Sequence, residues 1–177
     1  MKVMANRHVG IIVHDLDKMI DFYTGLGMTM KSYGSMLEKG EFIEGLLSSK
    51  GIILKTAKLT IENDELPEKY WFVLELMTLN HEHNKDYSKS VNKAPFNFTD
   101  NENGVLDIAF TVDDINSVSD YVVSNGGEII GEVMKAAVGF PALHRYLLDP
   151  ERNVLHVAEN LKWLDCNLNN IGYQEWN

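Results

Sequence analysis

The chain has 177 residues, of which 45% are hydrophobic, enough to bury a core as one domain or as two small modules sharing one. Its formal net charge is −10, and its sixteen Lys and Arg residues are dispersed. Nucleic acid and anionic membrane surfaces, which need clustered cations, are therefore excluded as expected partners in favour of small molecules or proteins. A single cysteine, Cys166, rules out an intramolecular disulfide and a thiolate-rich metal site, and no apolar run approaches a membrane span. The opening residues Met1–Asn6 are too short and too polar for a secretory h-region, so the cytoplasm is the expected location.

In chain order, residues 7–14 are rich in Val and Ile and read as a half-buried strand, with Asp15 as the natural N-cap of a helix. Leu16, Met19, Ile20, Phe22, Tyr23 and Leu26 keep mostly helical spacing, and Gly25 and Gly27 supply the stop. Residues 28–36 mix polar and apolar side chains as an exposed strand would, interrupted by Gly34 and Gly40; residues 42–47 are a loop or short helix, and 52–61 a strand. After a charged turn containing Pro67, residues 70–77 form the most apolar strand, with Glu75 in its middle. Residues 79–103 are polar, Asn-rich and without period, and read as a loop or linker of a length that is uncommon unless functional or joining modules. A second strand at 105–112 comes next, then the caps Asp113 and Asp114, and a helix through Ile115, Val118, Tyr121, Val122 and Val123 that ends at Asn125-Gly126-Gly127. Strands at 128–135, 143–148 and 153–158 complete the plan, the last two joined by Asp149-Pro150-Glu151-Arg152. Residues 161–177, with Trp163, Tyr173 and Trp176, form a C-terminal extension that would dock on the body or on another subunit.

The plan occurs twice. Arg7–Leu16 and Leu106–Ile115 are each a strand ending in an acidic turn that opens a helix, and His8 falls on Asp107. Val154-Leu155-His156-Val157 in turn lies on Val73-Leu74-Glu75-Leu76, so His156 is the counterpart of Glu75. Two strand-helix-strand-strand-strand modules, residues 5–78 and 104–160, predict an α+β fold whose equivalent strands bring four metal-capable residues together. A lone strand His is ordinarily a hydrogen-bonded core or surface residue, and a lone strand Glu ordinarily faces water. Four at corresponding positions, His8, Glu75, Asp107 and His156, point instead to a divalent ion such as Fe, Mn, Co, Ni or Zn. Their apolar neighbours add weight, because a buried carboxylate needs a partner. His14 at a strand end, His81 and His83 in the polar stretch, and His144 near a turn are weaker candidates, and Asp15, Asp113 and Asp114 are helix caps first.

His8-Val9-Gly10, Asp15-Leu16-Asp17, Phe22-Tyr23, Leu74-Glu75-Leu76, residues 108–114 and Asp149-Pro150, in this order, resemble the vicinal oxygen chelate superfamily of glyoxalase I, methylmalonyl-CoA epimerase and extradiol dioxygenases. Gly45-Leu46-Leu47 and residues 54–59 also look like glyoxalase-type members, and the resemblance covers roughly residues 5–160. It implies paired βαβββ modules forming a curved mixed sheet around a metal, with substrate oxygens at open metal positions. Where the family's second module usually starts with His this chain has Asp107, and where the last ligand is usually Glu it has His156. Asp reaches less far than His, so the metal shifts toward Asp107, a water bridges the gap, or His8, Glu75 and His156 hold the ion alone.

The resemblance implies a metal-dependent lyase or isomerase of glyoxalase I or epimerase type, stabilising an enediolate of a small carbonyl or thioester substrate. Glu75 is the expected base, with His156 second, and Phe140, Arg145 and Tyr146 are the expected substrate contacts. The alternatives are an extradiol-type dioxygenase using non-haem iron and a non-catalytic small-molecule binding or resistance protein of the same fold. A homodimer is the default assembly.

Overall fold

The computed structural model describes residues 7–64, 67–68, 71–81, 107–135 and 142–160, with the backbone alone at 33–38, 81 and 160. The chain divides into two compact units, Met1–Ala94 and Pro95–Asn177. The first contains β1 (Val9–Ile12), α1 (Leu16–Gly25), β2 (Thr29–Lys39), α2 (Glu41–Leu47), β3 (Ile52–Thr60) and β4 (Val73–His81). Its four strands lie in the order β1-β4-β3-β2, with β1 parallel to β4 and the other pairs antiparallel. The second contains β5 (Ile108–Val112), α3 (Ile115–Ser124), β6 (Glu128–Lys135), β7 (Ala142–Leu148) and β8 (Val154–Asn160). It repeats the pattern as β5-β8-β7-β6, with β5 parallel to β8. The α+β class and the repeated βαβββ plan read from the sequence are what the structure shows, with α2 as an addition in the first unit.

Local chemistry explains the shared start of each unit. Asp15 caps α1 by accepting the Lys18 amide at 3.0 Å, and Asp114 caps α3 by accepting the Asn116 and Ser117 amides at 2.9 Å each. The Ser117 amide is the main reason the Asp114 carboxyl lies below its ordinary range. Glu159 on β8 takes the remaining Ile115 amide at 2.9 Å, which ties the start of α3 to the sheet. At the far end of α3 the turn needs a glycine, because a Cβ on Gly127 would collide with the Leu148 carbonyl.

Strand alternation then gives each sheet two unlike faces. In the first unit Ala57, Leu59, Leu74 and Leu76 are fully buried beneath α1, which packs on β3 and β4. In the second, Ile108, Leu147, Leu155 and Val157 are buried on the face covered by α3. The opposite faces carry His8, Lys58 and Glu75 in the first unit and Asp107, His144, Tyr146 and His156 in the second. Gly10 shares that face with Met77, whose Cε would stand 2.6 Å from a Cβ at this glycine.

Two strands depart from their expected limits. β2 continues through Gly34 to Lys39, absorbing the irregular stretch as a register shift between Tyr33 and Leu37. β4 starts at Val73 and runs to His81, so residues 79–81 are strand and not the start of a loop. Pairing of Ile52, Ile53 and Leu54 with His81, Asn80 and Leu79 carries these residues into the ladder although their own pattern is not strand-like. His83, Phe140, Cys166, most of the expected 79–103 stretch and the 161–177 extension lie outside the described residues. Among the described residues no helix is long and apolar enough to cross a membrane.

Candidate functional site

In the first unit three strands contribute to one cluster. Lys58 on β3 lies directly across from Glu75 on β4, and Gly10 of β1 lies across from Glu75 on the other side. His8, two residues before Gly10, therefore shares the face. Its Nε2 is 3.0 Å from Glu75 Oε2, and Lys58 Nζ is 3.3 Å from Glu75 Oε1. Glu75 is only 7% exposed, so both oxygens of a buried carboxylate are engaged, one by an imidazole and the other by an ammonium. Thr56, one alternation from Lys58, is 1% exposed, and its hydroxyl has no hydrogen-bond partner among the described residues.

The second unit places four residues at the same register positions. Tyr146 on β7 lies across from His156 on β8, as Lys58 lies across from Glu75. The two rings stack with centroids 4.7 Å apart and 19° between planes. The Tyr146 hydroxyl donates to Asp107, just before β5, so in both units the third strand supplies a donor to the carboxylate. His144, one alternation from Tyr146, stands where Thr56 stands in the first unit. Its Nδ1 is 3.0 Å from His156 Nε2. Burial, with His156 as a second cause, pushes the His144 imidazole down.

Arg145, between these two residues in sequence, points to the other face, where its Nη1 donates to Ser119 Oγ of α3 at 3.0 Å. Of the three expected substrate contacts, Tyr146 accompanies His156, Arg145 sits on the helix-covered face, and Phe140 lies outside the described residues. Of the four expected metal donors, His8 and Glu75 are in direct contact, whereas Asp107 and His156 are linked through Tyr146. Among the described residues no group of three or more His, Cys, Asp or Glu side chains is gathered at one point.

Burial first, then the Asp107 carboxylate, push the Tyr146 phenol above its ordinary value of 10.0. Asp107→Asn is expected to bring it part of the way down, read as the ultraviolet titration difference against Tyr146→Phe. The fold favours the protonated phenol, so its contribution to stability is complete below the unfolded phenol pKa and is lost as pH rises through the raised folded one. A Tyr146 that titrates as an exposed tyrosine would contradict the Asp107 contact.

Residues 7–157 match the family model described as the Glyoxalase/Bleomycin resistance protein/Dioxygenase superfamily. The chain belongs to this superfamily. No curated protein matches it. Among solved structures, a glyoxalase family protein from Bacillus cereus is similar over 91% of this chain and 97% of its own, with 20% identity and a TM-score of 0.68. A glyoxalase I variant from Zea mays is similar over 89% of this chain, which spans 46% of the maize protein, with 20% identity and a TM-score of 0.52. At this identity the likeness is one of fold.

A divalent cation is the group to set against the donors of a glyoxalase-superfamily chain. Two neighbouring ligands about 2.1 Å from an ion would stand roughly 3.0 Å apart at octahedral angles and roughly 3.4 Å apart at the tetrahedral angles zinc favours. His8 Nε2 and Glu75 Oε2 are at the first of these separations, at 3.0 Å, while Lys58 holds the carboxylate from its other oxygen. In donor type, one imidazole and one carboxylate suit such an ion. Lys58 is absent from the sequence reading of the site, and His144 stands there only as a weaker candidate. The signal for both was strand register: counting alternation outward from Glu75 and His156 puts them on the titratable faces.

Proposed function

We propose that this protein is a divalent-metal-dependent lyase or isomerase of glyoxalase I or epimerase type, moving a proton at the carbon beside the carbonyl of a small carbonyl or thioester substrate. The observation that carries the proposal is the buried Glu75 carboxylate held between His8 and Lys58 in a chain of this superfamily. The donor types in each unit taken by itself suit Fe, Mn, Co, Ni or Zn: His8 with Glu75 in the first, and His156 in the second. When bound, such an ion supplies Lewis-acid stabilisation of enediolate charge, on the order of several kcal/mol.

The chain's own residues supply orientation and the proton acceptor. Lys58, on Oε1, and His8, on Oε2, fix the carboxylate plane, and Glu75 is the group that accepts the substrate proton. In the second unit Tyr146 orients both of its neighbours, Asp107 through its hydroxyl and His156 through its ring face. Elemental analysis of the purified full chain tests the proposal. Stoichiometric divalent metal is expected, with most of it lost in His8→Ala. A protein that takes up none of the five ions on titration would overturn the proposal in favour of the metal-free binding module.

A further inference from the structure

His144 is not part of the duplicated plan, since its register equivalent in the first unit is Thr56, whose hydroxyl is a poor metal donor. Two neutral imidazoles with Nδ1 and Nε2 3.0 Å apart must share one proton between them, because two facing lone pairs repel and two facing N–H groups collide. His156 Nε2 therefore shares its proton with His144 Nδ1, and an ion using this nitrogen would replace that shared proton. His144 Nδ1 would then be the nearest second nitrogen to that ion. The carboxylate of this unit is meanwhile held by Tyr146. Each unit then presents two donors 3.0 Å apart, His8 with Glu75 and His144 with His156.

We propose that His144 is a metal donor, forming with His156 a two-imidazole chelate for a borderline divalent cation. The inference rests on the reading of His156 as a metal donor given above. Binding moves the protons to His144 Nε2 and His156 Nδ1 and releases none from the neutral pair, because each ring keeps one. The stacked Tyr146 ring would hold the His156 plane, and the His144 ring, 27° from that of His156 with centroids 5.2 Å apart, faces it nitrogen to nitrogen and would have to turn off that line to share an ion.

The test uses the full chain with Zn²⁺ as probe, followed by ring ¹⁵N NMR of labelled histidines and by calorimetry. In the wild type, both His144 Nδ1 and His156 Nε2 are expected to move to metal-bound shifts on zinc addition. His144→Ala and His144→Asn are each expected to weaken zinc binding by at least about tenfold. The Asn variant separates the roles, because an amide can hydrogen-bond His156 but is a poor zinc ligand; full affinity in His144→Asn would mean that His144 only positions its neighbour, and would overturn the inference. A His144 Nδ1 unmoved by zinc in the wild type overturns it without any variant. If His144 is silent while His8→Ala still abolishes binding, only this inference falls; if the wild type binds no zinc or other divalent ion, the proposed function falls with it.

Discussion

Glu75→Gln is expected to slow proton exchange at the substrate carbon by about 10² to 10⁴ while leaving the fold intact. The substitution keeps the side chain's shape and an oxygen that Lys58 can reach, but removes the charge that makes Glu75 a base. It also removes a charged donor from the His8 pair, so metal affinity should fall with the rate. The two effects separate at saturating metal, where the loss of rate remains. Lys58 loses its carboxylate partner in this variant, and a modest drop in thermal midpoint is expected with an unchanged far-ultraviolet spectrum. Exchange at the wild-type rate in Glu75→Gln under saturating metal would remove Glu75 from the chemistry.

Leu76→Ala is expected to destabilise the protein by about 2–5 kcal/mol, read from urea unfolding. Leu76 is 0% exposed and lies between Ile11 of β1 and Ala57 of β3 on the face under α1. Its neighbour Ala57 is too small to fill the space left behind, so most of the cavity persists. Because Glu75 is the next residue on the same strand and faces the other way, a loosened β4 would also blur the His8 and Lys58 contacts. A loss below about 1 kcal/mol would mean that this face of β4 is not the packed one.

Much of the fold was legible from the chain because the duplication repeats local signals. Asp15 and Asp114 announce both helices as side-chain caps, and the glycine pairs after each helix close them. His8 and Glu75 were legible as two of four candidates because each has a counterpart in the repeated plan, Asp107 and His156. The limits of β4 were not, since Leu79, Asn80 and His81 become strand only through pairing with β3.

The composition of the site was harder to read for a geometric reason. Lys58 meets Glu75, and His144 meets His156, only once the antiparallel register between neighbouring strands is known, and a slip of one residue would turn either side chain to the opposite face. Arg145 shows the same rule from the other side. Proximity in sequence grouped it with Tyr146, yet adjacent residues on a strand face opposite ways, and Arg145 reaches Ser119 on the helix side. The exchange of residue types between units, Asp107 in place of a histidine and His156 in place of a carboxylate, was visible in the sequence. Its consequence, a carboxylate held by Tyr146 and a second imidazole beside His156, depended on β7.

The most direct measurement follows solvent deuterium into the carbon beside the carbonyl of small thiol–dicarbonyl adducts and acyl thioesters, by proton NMR, with metal-loaded and metal-stripped wild-type protein. The account predicts exchange in at least one of these substrates by the loaded protein and its loss on stripping, with recovery when the ion is returned. Exchange that is absent from every substrate with metal bound, or that proceeds equally after stripping, would contradict it.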